Sequence, residues 1–515
     1  MRTKMAFINA FTSILLRLVL AITGIFLPRF FIRAFGSPVN GLVTSINQFV
    51  SYLSLVEAGV GAAGMVALYK PIVEKNQQKI NAIVSAARQF YLRSGLIFVA
   101  LAALLTVVYP YVVKSEIQDA GFVRMMIILL CINSIVDYFY LGKYRVLLLA
   151  DQRGYVISII LIIGTIVMCA VSIGLITVGA SALLVKSVTA IVYILRSLAI
   201  GIYVKIHYPK LNLREKPDTT ALTQRRPALM HQIVSMITFH TDAIVLTLML
   251  PKNALLYVSI YTTYDLVRSG LSGMIDALQE AMTPSFGNLI AHGSAGEVLD
   301  SVYSSFEFAA HILVFTIYSC MAVLLYPFIA LYSVDFPDHA QYLQYSYVLA
   351  FTISGVLFSL RMPTQMLTNA AGHYDQTKWH AVIEGAINMT LSLALVRPLG
   401  MIGVLIGTAA CFLYRLFQSI VYANRHILTG KTIPRTVLRL LRNGVCSVLM
   451  IILGTKLLMP RIHTWLAWFA YAALYAALHG AVLMLVNFLF ERKQAIALVR
   501  RVVAIARRGR KCAKL

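Results

Sequence analysis

Residues 155–178 read YVISIILIIGTIVMCAVSIGLITV, twenty-four positions without a charged side chain. A helix of that length extends about 36 Å, enough to cross a hydrocarbon layer of about 30 Å. A membrane β-barrel would instead show alternating segments of about ten residues, whereas this run is twice as long and rich in Ile, Leu and Val. The pattern repeats: apolar runs with only short polar breaks occupy about 6–31, 41–69, 94–113, 122–149, 155–178, 182–206, 228–250, 255–289, 306–332, 342–370, 377–396, 401–422, 437–458 and 464–490. The whole chain of 515 residues is 59% hydrophobic and 13% charged, with a mean hydropathy of +0.78, which no water-soluble core requires. The sequence therefore predicts an all-α polytopic membrane protein of about fourteen transmembrane helices.

Arg2 and Lys4 precede the first run in the manner of a signal peptide, but no small-residue cleavage site follows and Arg17 interrupts the run, so the first span is expected to remain. The net charge of +25 suggests a nucleic-acid partner until the basic residues are assigned to sides. With the N-terminus inside, about 29 of the 45 Lys and Arg fall in cytoplasmic segments, and the outer loops hold about seven: Arg29, Arg33, Lys114, Lys252, Arg397, Lys456 and Arg461. That bias places both termini in the cytoplasm and accounts for the charge without nucleic acid. Five cysteines (Cys131, Cys169, Cys320, Cys411 and Cys446) lie in apolar spans and Cys512 in the basic tail, a pattern that points away from disulfides and from a metal site.

The longest polar break before the tail, 208–227, follows the sixth span and cuts the chain into halves. The halves overlay at nearly one shift: Pro71 on Pro284 (213), Ala150 on Ala371 (221) and Arg196 on Arg415 (219). A duplicated six-helix unit is the expectation, with both copies in the same orientation and a cavity between them near the midplane. The expected domains are a six-helix lobe over 1–207, a basic cytoplasmic linker over 208–227, a second six-helix lobe over 228–426, two further helices over 427–490, and a basic cytoplasmic tail over 491–515. The tail mixes Ile496, Val499, Val502 and Val503 with arginines, which suits either an interfacial helix on anionic lipid or a tail that enforces orientation.

A charge facing lipid at mid-bilayer costs roughly 2.5 to 3.5 kcal/mol, so charges inside the spans outline an interior. In span eight, Tyr261, Thr262, Arg268, Ser269, Ser272, Asp276, Gln279 and Glu280 fall within roughly 60° of Asp265 at 100° per residue. This stripe is either water-facing or a sealed seam in which Asp265 and Arg268 satisfy each other. Arg17 shares a face of span one with Ser13, Gly24 and Pro28, and Glu57 shares one of span two with Ser54, Gly61 and Gly64; a mutual salt bridge is the alternative for that pair. Span seven aligns His231, Ser235, Thr238 and Asp242. Arg361 sits mid-membrane in span ten, and Glu384 shares a face of span eleven with Thr377, His380 and Asn388. Asp137 has no evident partner, and Arg196 and Arg415 are expected to snorkel to the cytoplasmic surface.

Enzyme motifs are missing: there is no phosphate loop, no nucleotide-binding glycine fingerprint and no His/Glu metal spacing. The longest outer loop, 333–341, is too small to hold a reacting sugar, so a non-enzyme with no catalytic residues and no cofactor is expected. LPRFFIRAFGSPVNGL (27–42), SYLSLVEAGVG (51–61) and LYKP (68–71) resemble bacterial polysaccharide-biosynthesis flippases. Those proteins belong to the multidrug, oligosaccharidyl-lipid and polysaccharide exporter superfamily, with the lipid II flippases and the multidrug and toxic compound extrusion antiporters. The resemblance implies two six-helix lobes, alternating access and a bacterial cytoplasmic membrane, and Arg17 matches by position the arginine of span one that holds substrate pyrophosphate in lipid II flippases.

A polyprenyl-pyrophosphate-linked oligosaccharide carries a dianion and a hydroxylated head that cannot cross hydrocarbon unaided. Arg17, Arg268 and Arg361 suit the diphosphate, and Tyr261, Ser272 and Gln279 suit sugar hydroxyls. Glu57, Asp242, Asp265, Asp276, Glu280 and Glu384 are the carboxylates available to tune the cavity or to bind a coupling Na+ or H+; the membrane potential alone also favours outward movement of an anion. The expected partners are the lipid-linked glycan, anionic membrane lipids and other glycan-assembly proteins. The rivals are a cation-coupled multidrug antiporter of the same superfamily and a membrane enzyme of glycan assembly.

Overall fold

The computed structural model describes residues 2–57, 60–113, 116–218, 236, 241–250, 252–291, 296–430, 432–492 and 494–496. Among them the elements are helical throughout, with no strand: α1 (Arg2–Phe35), α2 (Ser37–Leu53), α3 (Val60–Val73), α4 (Gln77–Val112), α5 (Ala120–Val136), α6 (Gly142–Ala150), α7 (Gly154–Thr177), α8 (Ala182–His207), α9 (Asp242–Met249), α10 (Ala254–Ala291), α11 (Glu297–Tyr332), α12 (Tyr345–Leu360), α13 (Met362–Ala370), α14 (Tyr374–Leu399), α15 (Met401–His426), α16 (Ile433–Leu457) and α17 (Trp465–Phe490). His231, Ser235 and Thr238, the linker from residue 219 onward and the tail from residue 497 onward lie outside the described residues.

Among the described residues, eleven helical segments are long and apolar enough to cross a membrane. The three remaining predicted spans are not among these. Span two is interrupted by a 3-10 turn at Ser54–Glu57 between α2 and α3, span seven is described only from residue 241 apart from Met236, and span eight, α10, carries Asp265, Arg268, Asp276 and Glu280 in one helix. The chain is a multi-pass membrane protein.

Two compact units divide the chain, Met1–Thr262 and Thr263–Leu515. The boundary falls inside α10, downstream of the 208–227 linker, because residues 242–262 pack on α2. Ser45 Oγ and Thr247 Oγ1 lie 2.7 Å apart, and Asn40 donates to Ser259 Oγ at 2.8 Å. Gly41 permits the approach, since a Cβ there would lie 1.7 Å from the Leu255 carbonyl oxygen. Glu116, in the loop before α5, accepts from the Leu255 N–H at 3.0 Å and so caps the start of α10. Burial pushes the Glu116 carboxyl up, against the backbone N–H groups of residues 254–256.

Two further irregularities position charges. In the first unit, α5 passes into α6 through a π segment at Asp137–Leu141, a deformation that often marks function. In the second unit, α12 ends at Arg361 and α13 restarts with Pro363 in its first turn, so span ten is jointed at its arginine. The turn between α14 and α15 is made by Gly400 at φ +59°, a left-handed conformation that glycine adopts without strain. The resulting hairpin carries Glu384 on α14 and Arg415 on α15.

Candidate functional site

In the first unit the break of span two leaves helical carbonyls without their usual donors. Tyr138 Oη donates to the Ser54 oxygen and Ser94 Oγ to the Val56 oxygen, each at 3.2 Å, so the break is held in place by side chains of α4 and the π segment. Glu57 sits at this break, half-buried, in the field of Arg145 and Asp137. Asp137 has the partners that its own span concealed: Arg145 donates to Oδ2 at 3.0 Å and Tyr193 Oη to Oδ1 at 2.5 Å. Arg145 belongs to a stretch expected at the cytoplasmic surface, and the π segment turns it back toward Asp137. The group therefore sets two carboxylates, Glu57 and Asp137, beside the Arg145 guanidinium, which pairs with Asp137, while Arg196, expected to snorkel, lies 4.0 Å from the centre of the Tyr193 ring.

Asp242 and Tyr261, predicted for different roles, are brought together. Asp242 is buried at the start of α9 and accepts from Tyr261 Oη at 2.8 Å. Arg17 lies on the exposed surface of α1.

In the second unit the α10 stripe is partly seam and partly open. Arg268 Nε donates to Asp265 Oδ1 at 2.7 Å, the i, i+3 pairing open to the sequence. Ser272 is buried and lies 2.8 Å from Tyr318 Oη, which in turn lies 2.9 Å from Ser359 Oγ, tying α10 to α11 and α12. Farther along, Gln279, Glu280, Thr283 and Gly287 line a cavity of about 430 Å³ with Asn369 and Tyr374. Asp276 lies between the two regimes, half-buried.

A buried charge group in the same unit is Arg361, Glu384 and Arg415. Arg361 donates to Glu384 Oε1 at 2.8 Å, and Arg415 Nε stands 3.6 Å from Oε2. Their side chains are 13%, 7% and 8% exposed. The Arg361 guanidinium also lies 4.2 Å from the centre of the Phe358 ring, a cation–π contact at a desolvated site. Arg415 does not snorkel: the hairpin turns it inward onto Glu384. Two guanidiniums share one carboxylate, which leaves a positive excess inside a membrane helix bundle.

A third buried group was not visible to the sequence. Arg439 of α16 donates to Glu307 of α11 at 2.6 Å and through Nε to both oxygens of Glu491 at 3.0 Å, and Arg442 reaches Glu491 at 2.8 Å. Thr436 and Tyr303 complete the Glu307 carboxylate. The only signal in the sequence is the row Thr436, Arg439, Asn443 and Ser447 at helical spacing, which forms the buried face of α16. Among the described residues no cluster of His, Cys, Asp or Glu is able to hold a metal ion.

No family model and no curated protein matches the chain. Solved structures do. The lipid II flippase MurJ in an inward closed conformation superposes with a TM-score of 0.70 over 94% of this chain and 98% of that one, at 15% identity. A multidrug resistance MATE family transporter of the MOP superfamily, inward-facing, gives 0.61 over 79% and 96% at 14% identity, and an outward-facing one gives 0.52 over 81% and 94% at 14% identity. At such identities the likeness establishes architecture and not substrate. The fold of this chain is the one shared by the lipid II flippase MurJ and the MATE transporters.

Proposed function

We propose that the chain flips a polyprenyl-pyrophosphate-linked oligosaccharide from the cytoplasmic to the outer leaflet of a bacterial cytoplasmic membrane by alternating access, in polysaccharide biosynthesis. The observation that carries this reading is the Arg361–Glu384–Arg415 group, in which two guanidiniums meet one carboxylate at the joint of a membrane helix. Such an excess favours an anion, and guanidinium forks match phosphate oxygens. Arg361 is the residue placed to exchange Glu384 for substrate phosphate, with Arg268 released from Asp265 and Arg17 as further cations. The cavity of about 430 Å³ beside Gln279 and Glu280 is of ligand size and suits sugar hydroxyls. Asp242 Oδ2 is already engaged by Tyr261, and Ser272 holds helices together.

The chain's role is transport, not catalysis, and the driving force is the membrane potential or an Na+ or H+ gradient. Glu57, with no hydrogen bond of its own among the described residues, is the carboxylate best placed to take a coupling cation, ahead of Asp265, Asp276 and Glu384. Both termini lie in the cytoplasm in this reading, and other glycan-assembly proteins supply the substrate.

The test is flipping of a fluorescent prenyl-pyrophosphate glycan in proteoliposomes by wild type, Arg361→Ala and Arg415→Ala. Wild type flips and both variants lose most of the rate. Equal rates in all three, with the protein folded, would end the arginine reading. The acid excess around Glu57 favours one other reading, a cation-coupled antiporter for cationic drugs; pH-driven dye accumulation without glycan flipping would establish it instead.

A further inference from the structure

The outer face of the α14–α15 hairpin bears a groove that the transport reading does not use. Its cavity is about 610 Å³, and His380, Tyr414, Phe417, Tyr422, Arg425 and His426 dominate its lining. We propose that this groove binds an anionic membrane phospholipid, with the phosphodiester headgroup at Arg425 and an acyl chain along the Phe417 floor.

The spacing on α15 carries the first part of the argument. Leu413, Phe417, Val421 and Arg425 recur every four residues and form one row, apolar for three positions and cationic at the fourth. That row is about 18 Å long at 1.5 Å per residue. Phe417 is 52% and Leu413 41% exposed, on the side of α15 away from the buried positions Phe412, Leu416 and Ile420. An amphiphile with one charged end matches this gradient, whereas a free anion would leave the apolar floor unused and an apolar molecule would leave the cation unused.

The polar end is organised by rings. His380 Nδ1 lies 2.9 Å from Tyr414 Oη, His373 Nδ1 lies 3.1 Å from Tyr422 Oη, and the His426 ring stacks on Tyr422 at 4.5 Å between centroids. Trp379, 68% exposed, and Tyr374, 50% exposed, stand near the same end of α14, where aromatic rings mark the membrane–water boundary. Arg425 and His426 complement the negative end of the α15 dipole, which explains their charge but not the lined groove beneath them.

Charge selects the occupant. The nearby acids are engaged: both Glu384 oxygens with Arg361 and Arg415, Asp375 with Lys378 at 3.6 Å, and Asp300 with Thr429 and Gly430. Arg425 makes no ion pair among the described residues and is exposed. One permanent cation complements a singly charged phosphodiester, and the pyrophosphate dianion of the proposed substrate would keep an uncompensated charge.

The experiment is native mass spectrometry of the full chain in a neutral detergent, titrated with phosphatidylglycerol or phosphatidylcholine of equal chain length. Wild type retains phosphatidylglycerol about fivefold better, the preference expected from one cation near a lipid surface. Arg425→Gln abolishes that preference, Arg425→Lys keeps it, and Arg397→Gln at the far end of α14 leaves it unchanged. Equal retention of the two lipids by wild type, or an unaltered preference in Arg425→Gln, overturns the proposal. So does displacement of the lipid by millimolar inorganic phosphate, which would make the groove a free-anion site, or by equimolar prenyl pyrophosphate, which would give it to the substrate. If Arg425→Gln fails to fold, Phe417→Asn takes its place: the proposal requires it to weaken both lipids and retain the preference, and unchanged retention of both lipids overturns it.

Discussion

Two charge groups, one in each unit, are built from the same parts in opposite proportion. In the first unit Glu57 and Asp137 face a single Arg145, and in the second Arg361 and Arg415 share a single Glu384. A third group, Arg439 and Arg442 with Glu307 and Glu491, balances two against two. A buried charge must be compensated, so the sign of the excess indicates what each group is able to accept. In the proposed function the acid-rich group takes a proton or a small cation, the arginine-rich group takes phosphate, and the balanced group is structural.

The comparison breaks most visibly at Glu384. Glu384→Gln leaves two buried guanidiniums without a counter-charge and is expected to cost about 3–5 kcal/mol, read as a large fall in thermal unfolding temperature in detergent. Asp137→Asn is expected to cost distinctly less, because the Arg145 side chain is 40% exposed, whereas Arg361 and Arg415 are 13% and 8% exposed. Equal losses in the two variants would remove the contrast between the units.

Transport sharpens it next. Under the proposed function, Arg361→Ala is expected to reduce flipping roughly tenfold or more through loss of a charge-assisted contact, and Arg361→Lys to recover only part of it, since an ammonium cannot reproduce the fork. Full activity of the lysine variant would show that charge alone suffices.

Under the proposed function, Glu57→Gln is expected to change stability little, as the carboxylate has no hydrogen bond among the described residues, but to flatten the dependence of transport on an imposed pH or Na+ gradient. An unchanged gradient response in this variant moves the coupling site elsewhere.

The balanced group gives the smallest effect. Burial pushes the Glu491 carboxyl up, and the hydrogen bonds from Arg439 and Arg442 outweigh this, leaving it below the ordinary range. Because the folded state releases this proton more readily than the unfolded chain, the stabilisation is complete above the unfolded carboxylate value and fades as pH falls through the folded one. Unfolding temperatures measured from pH 6 down to pH 3 are expected to decline less steeply in Glu491→Gln than in wild type; parallel curves would contradict the assignment.

Much of this was legible beforehand where it depends on local periodicity. The 155–178 run, the run lengths and the basic loops announce a helical membrane protein, and Asp265 with Arg268 lie one turn apart on one face. Arg361 and Glu384 were also marked as interior charges, since no lipid-facing site tolerates them. What stayed hidden crosses helices: Tyr193 completes Asp137 across 56 positions, and Arg439 meets Glu307 across 132. Local sequence places Arg415 near a basic loop and so at the surface, and the tight hairpin turns it inward onto Glu384; the π segment likewise brings Arg145 onto Asp137.

By itself, the sequence determined the solvent of this protein and hence its class, because hydropathy over twenty residues is a local sum that decides between bilayer and water. Which charges neutralise one another, and which unit is left with an excess, only the tertiary structure decided. Coulomb energy depends on separation in space, and helix packing sets that separation without regard to distance along the chain.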